Sequence, residues 1–86
     1  MCTYLTEKVD LAGSGKGAAG WFPLTEATVY FDHPQHAPAD HTLNIALRNP
    51  GQGPSARIAV ELTAESARVL AAAIEAALAA APPGLA

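Results

Sequence analysis

The sequence predicts an α+β fold: a four-stranded antiparallel sheet, a meander, followed by one C-terminal helix packed on one face. Two observations carry this expectation. Four stretches place apolar side chains at every second position, the period of a strand whose alternate residues face one side. A fifth, after Leu62, spaces its apolar residues by three and four, the period of a helix lying on a surface. With 86 residues the chain makes one domain, 1–86. At that size roughly 60 to 65 % of the unfolded surface is buried, and self-association adds useful burial.

Cys2 to Leu11 (CTYLTEKVDL) reads as the first strand, with Thr3, Leu5, Val9 and Leu11 on one side and Tyr4, Thr6, Lys8 and Asp10 on the other. Glu7 falls on the apolar side. Either fraying or a bulge carries it to solvent, or it is a buried carboxylate with a partner. Gly13 to Gly20 (GSGKGAAG) reads as a glycine-rich connection, either a loop that orders over a small-molecule ligand or simply a long turn. It lacks the phosphate-loop pattern, because Gly17 rather than Ser or Thr follows Lys16 and no helix comes next. Trp21 and Phe22 then re-enter the fold and are expected to plug one edge of the core.

Thr25 to Asn49 reads as a hairpin whose register follows from alternation. Ala27, Val29 and Phe31 form one apolar row and Leu43, Ile45 and Leu47 the other, so Phe31 should face Leu43, Val29 face Ile45 and Ala27 face Leu47. The next step along that row sets His33 opposite His41. After the turn formers of Asn49 to Ser55 (NPGQGPS), Arg57 to Leu62 (RIAVEL) alternates as the fourth strand, with Ile58, Val60 and Leu62 inward. Thr63 is placed to cap a helix over 64–81, with Glu65 near its positive end and Pro82 and Pro83 ending it. Ala67, Leu70, Ile74, Ala77, Leu78 and Ala81 make the stripe that should face the sheet. The second sheet face, with Tyr4, Thr6, Thr28, Tyr30, Thr42, Asn44 and Ala46, carries no charge in this set and is expected to pair with a second copy in a homodimer or larger homo-oligomer.

Charge and cysteine content narrow the function. The net charge is −3 with five Lys and Arg residues spread along the chain, which is no footprint for nucleic acid. No apolar stretch is long enough for a membrane span and no leader pattern opens the chain, so a cytoplasmic protein without membrane or nucleic-acid partners is expected. A single cysteine excludes an internal disulfide. Catalytic serine elbows and paired inward carboxylates are absent from the sequence, so whether the protein is an enzyme stays open.

The three histidines, His33, His36 and His41, all lie within DHPQHAPADH at the hairpin end. Imidazoles that converge there could ligate a transition metal ion (zinc, copper or iron), with Asp32 and Asp40 orienting them. Pro34 and Pro38 restrict the loop that carries His36. Cys2 could complete the set as a soft ligand, and removal of Met1 would expose it as an amino-thiol. The expected function is therefore a small metal-binding protein, and a metalloenzyme if turnover occurs. The alternatives remain that His33 and His41 are hydrogen-bonded core-end residues and Cys2 a small hydrophobe, within a non-catalytic homo-oligomeric interaction module that holds no metal.

The opening MCTYLTEKV, with SGKGAAGWFPLTEATVYFDHP and HAPADHTLNI, resembles a family of small actinobacterial proteins of no assigned activity. The likeness spans nearly the whole chain. It implies a bacterial, cytoplasmic source and transfers no site residue.

Overall fold

A computed structural model describes residues 5–34 and 40–85. The chain runs β1 (Thr6–Gly17), β2 (Gly20–Asp32), β3 (Thr42–Arg48), a short 3₁₀ turn (Pro50–Gln52), β4 (Arg57–Leu62) and α1 (Ala64–Ala80). The strands form one antiparallel sheet in the order β1-β2-β3-β4. This is the expected meander with a C-terminal helix.

The hairpin register is the one that alternation requires, with Ala27 opposite Leu47, Val29 opposite Ile45 and Phe31 opposite Leu43. Beyond β3, Ile45 faces Val60 and Leu47 faces Ile58. One side of the sheet is therefore an apolar face built from alternate residues of three strands. Glu7 lies opposite Val29 in unbroken pairing and is exposed, because β1 is an edge strand there. The irregularity falls later, where the register shifts between Asp10 and Gly13 and Leu11 and Ala12 oppose Thr25.

The expected glycine-rich loop is strand. Gly13 to Gly17 pairs with Gly20 to Leu24, so β1 and β2 form a long hairpin turning at Ala18 and Ala19. Neither alanine has positive φ, and Gly20 at φ 113° supplies the left-handed step that brings the chain back. Glycine is needed in this arm for a second reason. A Cβ at Gly15 would lie 2.8 Å from Ile58 Cδ1 of β4, so the arm curls across the sheet and presses backbone against side chain. Sequence reading takes glycines as loop signals, whereas here they permit close approach. Trp21, expected to plug the core, is 71 % exposed on this arm; Phe22 is half-buried.

α1 forms as its signals require. Thr63 Oγ1 accepts from Ser66 N at 3.1 Å, Glu65 sits in the first turn, and the helix ends one residue before Ala81. Its packing differs from expectation. Only the first turns meet the sheet, where Ala64, Ala67 and Arg68 border a hollow with Phe31 and Leu43. The stripe beyond stays open, with Leu70 43 %, Ile74 52 % and Leu78 63 % exposed.

Among the described residues, the buried hydrophobic side chains are the small ones of Ala27, Ala46 and Ala56. The second sheet face is already closed within the chain along β3, where Thr42, Asn44 and Ala46 are buried and Thr42 Oγ1 donates to Asn44 Oδ1 at 2.7 Å. The apolar face and the helix stripe, by contrast, are the incompletely covered surfaces.

Candidate functional site

The register that pairs Phe31 with Leu43 carries His33 and His41 to the end of the hairpin side by side. Their ring centroids are 4.5 Å apart at an interplanar angle of 31°. The imidazole of His41 also stacks on Phe31, at 5.7 Å and 13°. An aromatic platform beneath His41 limits how its ring can turn.

His33 is held from two sides. Its backbone amide donates to Asp32 Oδ1 at 2.7 Å, and its Nδ1 lies 3.0 Å from the Asp40 carbonyl oxygen. A carbonyl can only accept, so this contact makes Nδ1 the protonated nitrogen and puts the ring's lone pair on Nε2. That is the arrangement of a metal-ligating histidine whose other nitrogen is fixed by an acceptor. With ligand bonds of about 2.0 to 2.1 Å, two rings that share one ion bring their ligating nitrogens to within about 4 Å of each other, and the 4.5 Å centroid separation is of that order. Cys2 and His36, expected to complete the set, lie outside the described residues, as does Tyr4. Among the described residues, no three His, Cys, Asp or Glu side chains are grouped to hold a metal ion.

A second constellation lies on the other sheet face, and sequence reading missed it by treating the five cations as scattered. Antiparallel pairing lines up Asp10, Glu26, Arg48 and Arg57 in one row across all four strands. Glu26 is the buried centre of this row. Its Oε1 accepts from Arg48 Nε at 2.8 Å, and its Oε2 lies 3.2 Å from Lys8 Nζ. The Lys8 hydrogen bond is the main reason that the Glu26 carboxyl is held below its ordinary value of 4.5; burial opposes it, and the positive charges of Lys8 and Arg48, with the Arg48 hydrogen bond, tip the balance further down. Arg48 directly faces Arg57 in the β3–β4 pairing, so two arginines share one register position and border the same cleft.

These side chains border an open cleft of about 590 Å³ whose other wall includes Pro50, Pro54 and Ala56. Asn49 ties that wall down. It is buried, donates from Nδ2 to the Pro23 carbonyl at 3.0 Å, and accepts on Oδ1 from Gly51 N at 3.1 Å. The signal for part of this site was present in the sequence, because the register that pairs Phe31 with Leu43 also pairs Glu26 with Arg48. Adding Arg57 required the span of the loop between β3 and β4.

No helix among the described residues is long and apolar enough to cross a membrane. The model of a family of unknown function, DUF6295, matches residues 1–86, so the chain belongs to that family. No curated protein and no solved structure gives a match.

Proposed function

Since membership of that family brings no activity with it, we propose from the geometry that this chain is a homo-oligomeric interaction module, with α1 burying its apolar stripe against a second copy. The observation that carries this reading is the surface left uncovered by the fold. The accessible surface is 6286 Å², against about 4,800 Å² for a compact monomer of this mass. The radius of gyration is 14.4 Å, where about 12 Å is usual for this length.

An excess of about 1,500 Å² per chain is what each partner of a large obligate dimer contributes to its interface. The chemistry of that surface agrees. α1 carries Leu70, Ile74 and Leu78 with too little sheet beneath them, and the sheet's apolar row carries Val29, Ile45 and Val60 with too little helix above. Two copies related by a two-fold axis can satisfy both needs with the same contact made twice. The polar face, whose central strand is already closed, is the weaker candidate for this role. Sedimentation equilibrium tests the reading: a dimer or larger species at low micromolar concentration is expected, and a monomer at high micromolar concentration overturns it.

A second reading rests on the histidine pair, with its 4.5 Å ring separation and its hydrogen-bonded Nδ1. Here His33 and His41 ligate a transition metal ion, and His36 or Cys2 completes the coordination. Metal analysis of the purified protein separates this reading from the first. Oligomerisation through α1 needs no metal, whereas the site predicts retained zinc, copper or iron and a rise in thermal stability when the ion is added.

A further inference from the structure

Three of the chain's five cationic side chains converge on one cleft, in a protein whose net charge is −3. Lys8, Arg48 and Arg57 meet a single lining carboxylate, Glu26, which leaves two positive charges at the cleft. We infer that this cleft binds the dianionic phosphate group of a small molecule, with Arg48 and Arg57 as the paired donors and Lys8 as the third.

The Arg48–Arg57 pair points to an anion most directly. Side chains directly opposed on adjacent strands have Cβ atoms about 4.5 to 5.5 Å apart, and like charges so placed repel. Nothing in the row neutralises both. Glu26 engages Arg48 through Nε alone, leaving the terminal amino groups of that guanidinium as donors, and Arg57 has no carboxylate or hydrogen-bond partner among the described residues. A phosphate placed between the two guanidinium groups accepts from both and converts the repulsion into two charge-assisted contacts.

Glu26 has a positioning part in this arrangement. By gripping Lys8 on one oxygen and Arg48 on the other, it fixes where two flexible cationic side chains end. The other carboxylate of the row, Asp10, stands three strands from Arg57, about 14 Å at ordinary strand spacing. It leaves the arginine end of the cleft positive. A monoester phosphate, with its second pKa near 6, is a dianion that matches the two uncompensated charges. A cleft of about 590 Å³ holds a small molecule beyond its phosphate, and such sites usually span about 300 to 1,000 Å³. Pro50 and Pro54 offer rigid apolar contact for that remainder.

The test is a titration of the ¹⁵N-labelled full chain with glycerol phosphate at about pH 8, where the monoester is fully dianionic, using glycerol with chloride at matched ionic strength as the control. The expected result is saturable shifts of the Arg48 and Arg57 Nε–Hε signals with the phosphate and none with the control. Arg57→Gln should weaken binding about tenfold or more, the size expected for losing a charge-assisted hydrogen bond, and Arg57→Lys should recover part of it. Arg57 is exposed and the substitution removes one of two like charges, so the glutamine variant should hold or raise its melting temperature in phosphate-free buffer. Shifts that fail to saturate, that the chloride control reproduces, or that saturate equally in Arg57→Gln would overturn the assignment.

Discussion

Glu26 and Arg48 are cross-strand neighbours joined at 2.8 Å, and the same carboxylate reaches Lys8 at 3.2 Å on its other oxygen. One buried acid thus ties β1, β2 and β3 together on the polar face.

This ion cluster makes stability depend on pH in a definite direction. A carboxyl whose folded value lies below its unfolded one stabilises the fold fully above the ordinary 4.5 and loses that contribution as pH falls through the lowered value. Glu26→Gln should therefore flatten the acid limb of a melting-temperature profile and weaken folding at neutral pH, where Arg48 is left without its carboxylate. Parallel acid limbs in the two proteins would show that Glu26 is not a stabilising carboxylate.

The exposed stripe of α1 predicts that core-like losses appear only in the assembly. Ile74→Ala and Leu70→Ala should each cost about 2 to 5 kcal/mol per chain if the partner buries them, and unfolding midpoints should rise with protein concentration. Ile74→Arg should give a monomer by light scattering. Costs within about 0.5 kcal/mol, as for free surface positions, would mean that α1 has no partner.

Metal uptake through the histidine pair predicts that His33→Ala and His41→Ala each abolish binding, measured by equilibrium dialysis with zinc. Uptake should fall as pH is lowered, because protons compete for the ligand nitrogens. His36→Ala should bind more weakly if Cys2 can take its place, and the double change of His36 and Cys2 should then lose what remains. Equal binding by the His41→Ala protein would place the ion elsewhere.

Gly20 at φ 113° has open space where a Cβ would go, so its replacement tests backbone conformation alone. Gly20→Ala should cost about 1 to 3 kcal/mol by chemical denaturation. No loss would show that the turn at Ala18 and Ala19 can close in another way.

The sequence by itself determined whatever follows from period and neighbours. Alternation in Ala27 to Phe31 and Leu43 to Leu47 set the β2–β3 register, since a slip of one residue would have turned an apolar row outward. That register brought His33 beside His41, and the same counting places Glu26 beside Arg48. Thr63, Glu65 and Pro82 marked the helix ends because capping is a contact between residues a few positions apart.

Only the tertiary structure decided where elements lie when no local rule applies. The run from Gly13 to Gly17 joins the sheet because its backbone can approach Phe22, Leu24 and Ile58, a fact about distant side chains rather than turn propensity. α1 has the stripe of a packed helix, yet a periodic pattern says only that a face must be covered, not which surface covers it. The cleft likewise exists because residues 8, 26, 48 and 57 meet across four strands, and repulsion between Arg48 and Arg57 becomes visible only when both registers are known.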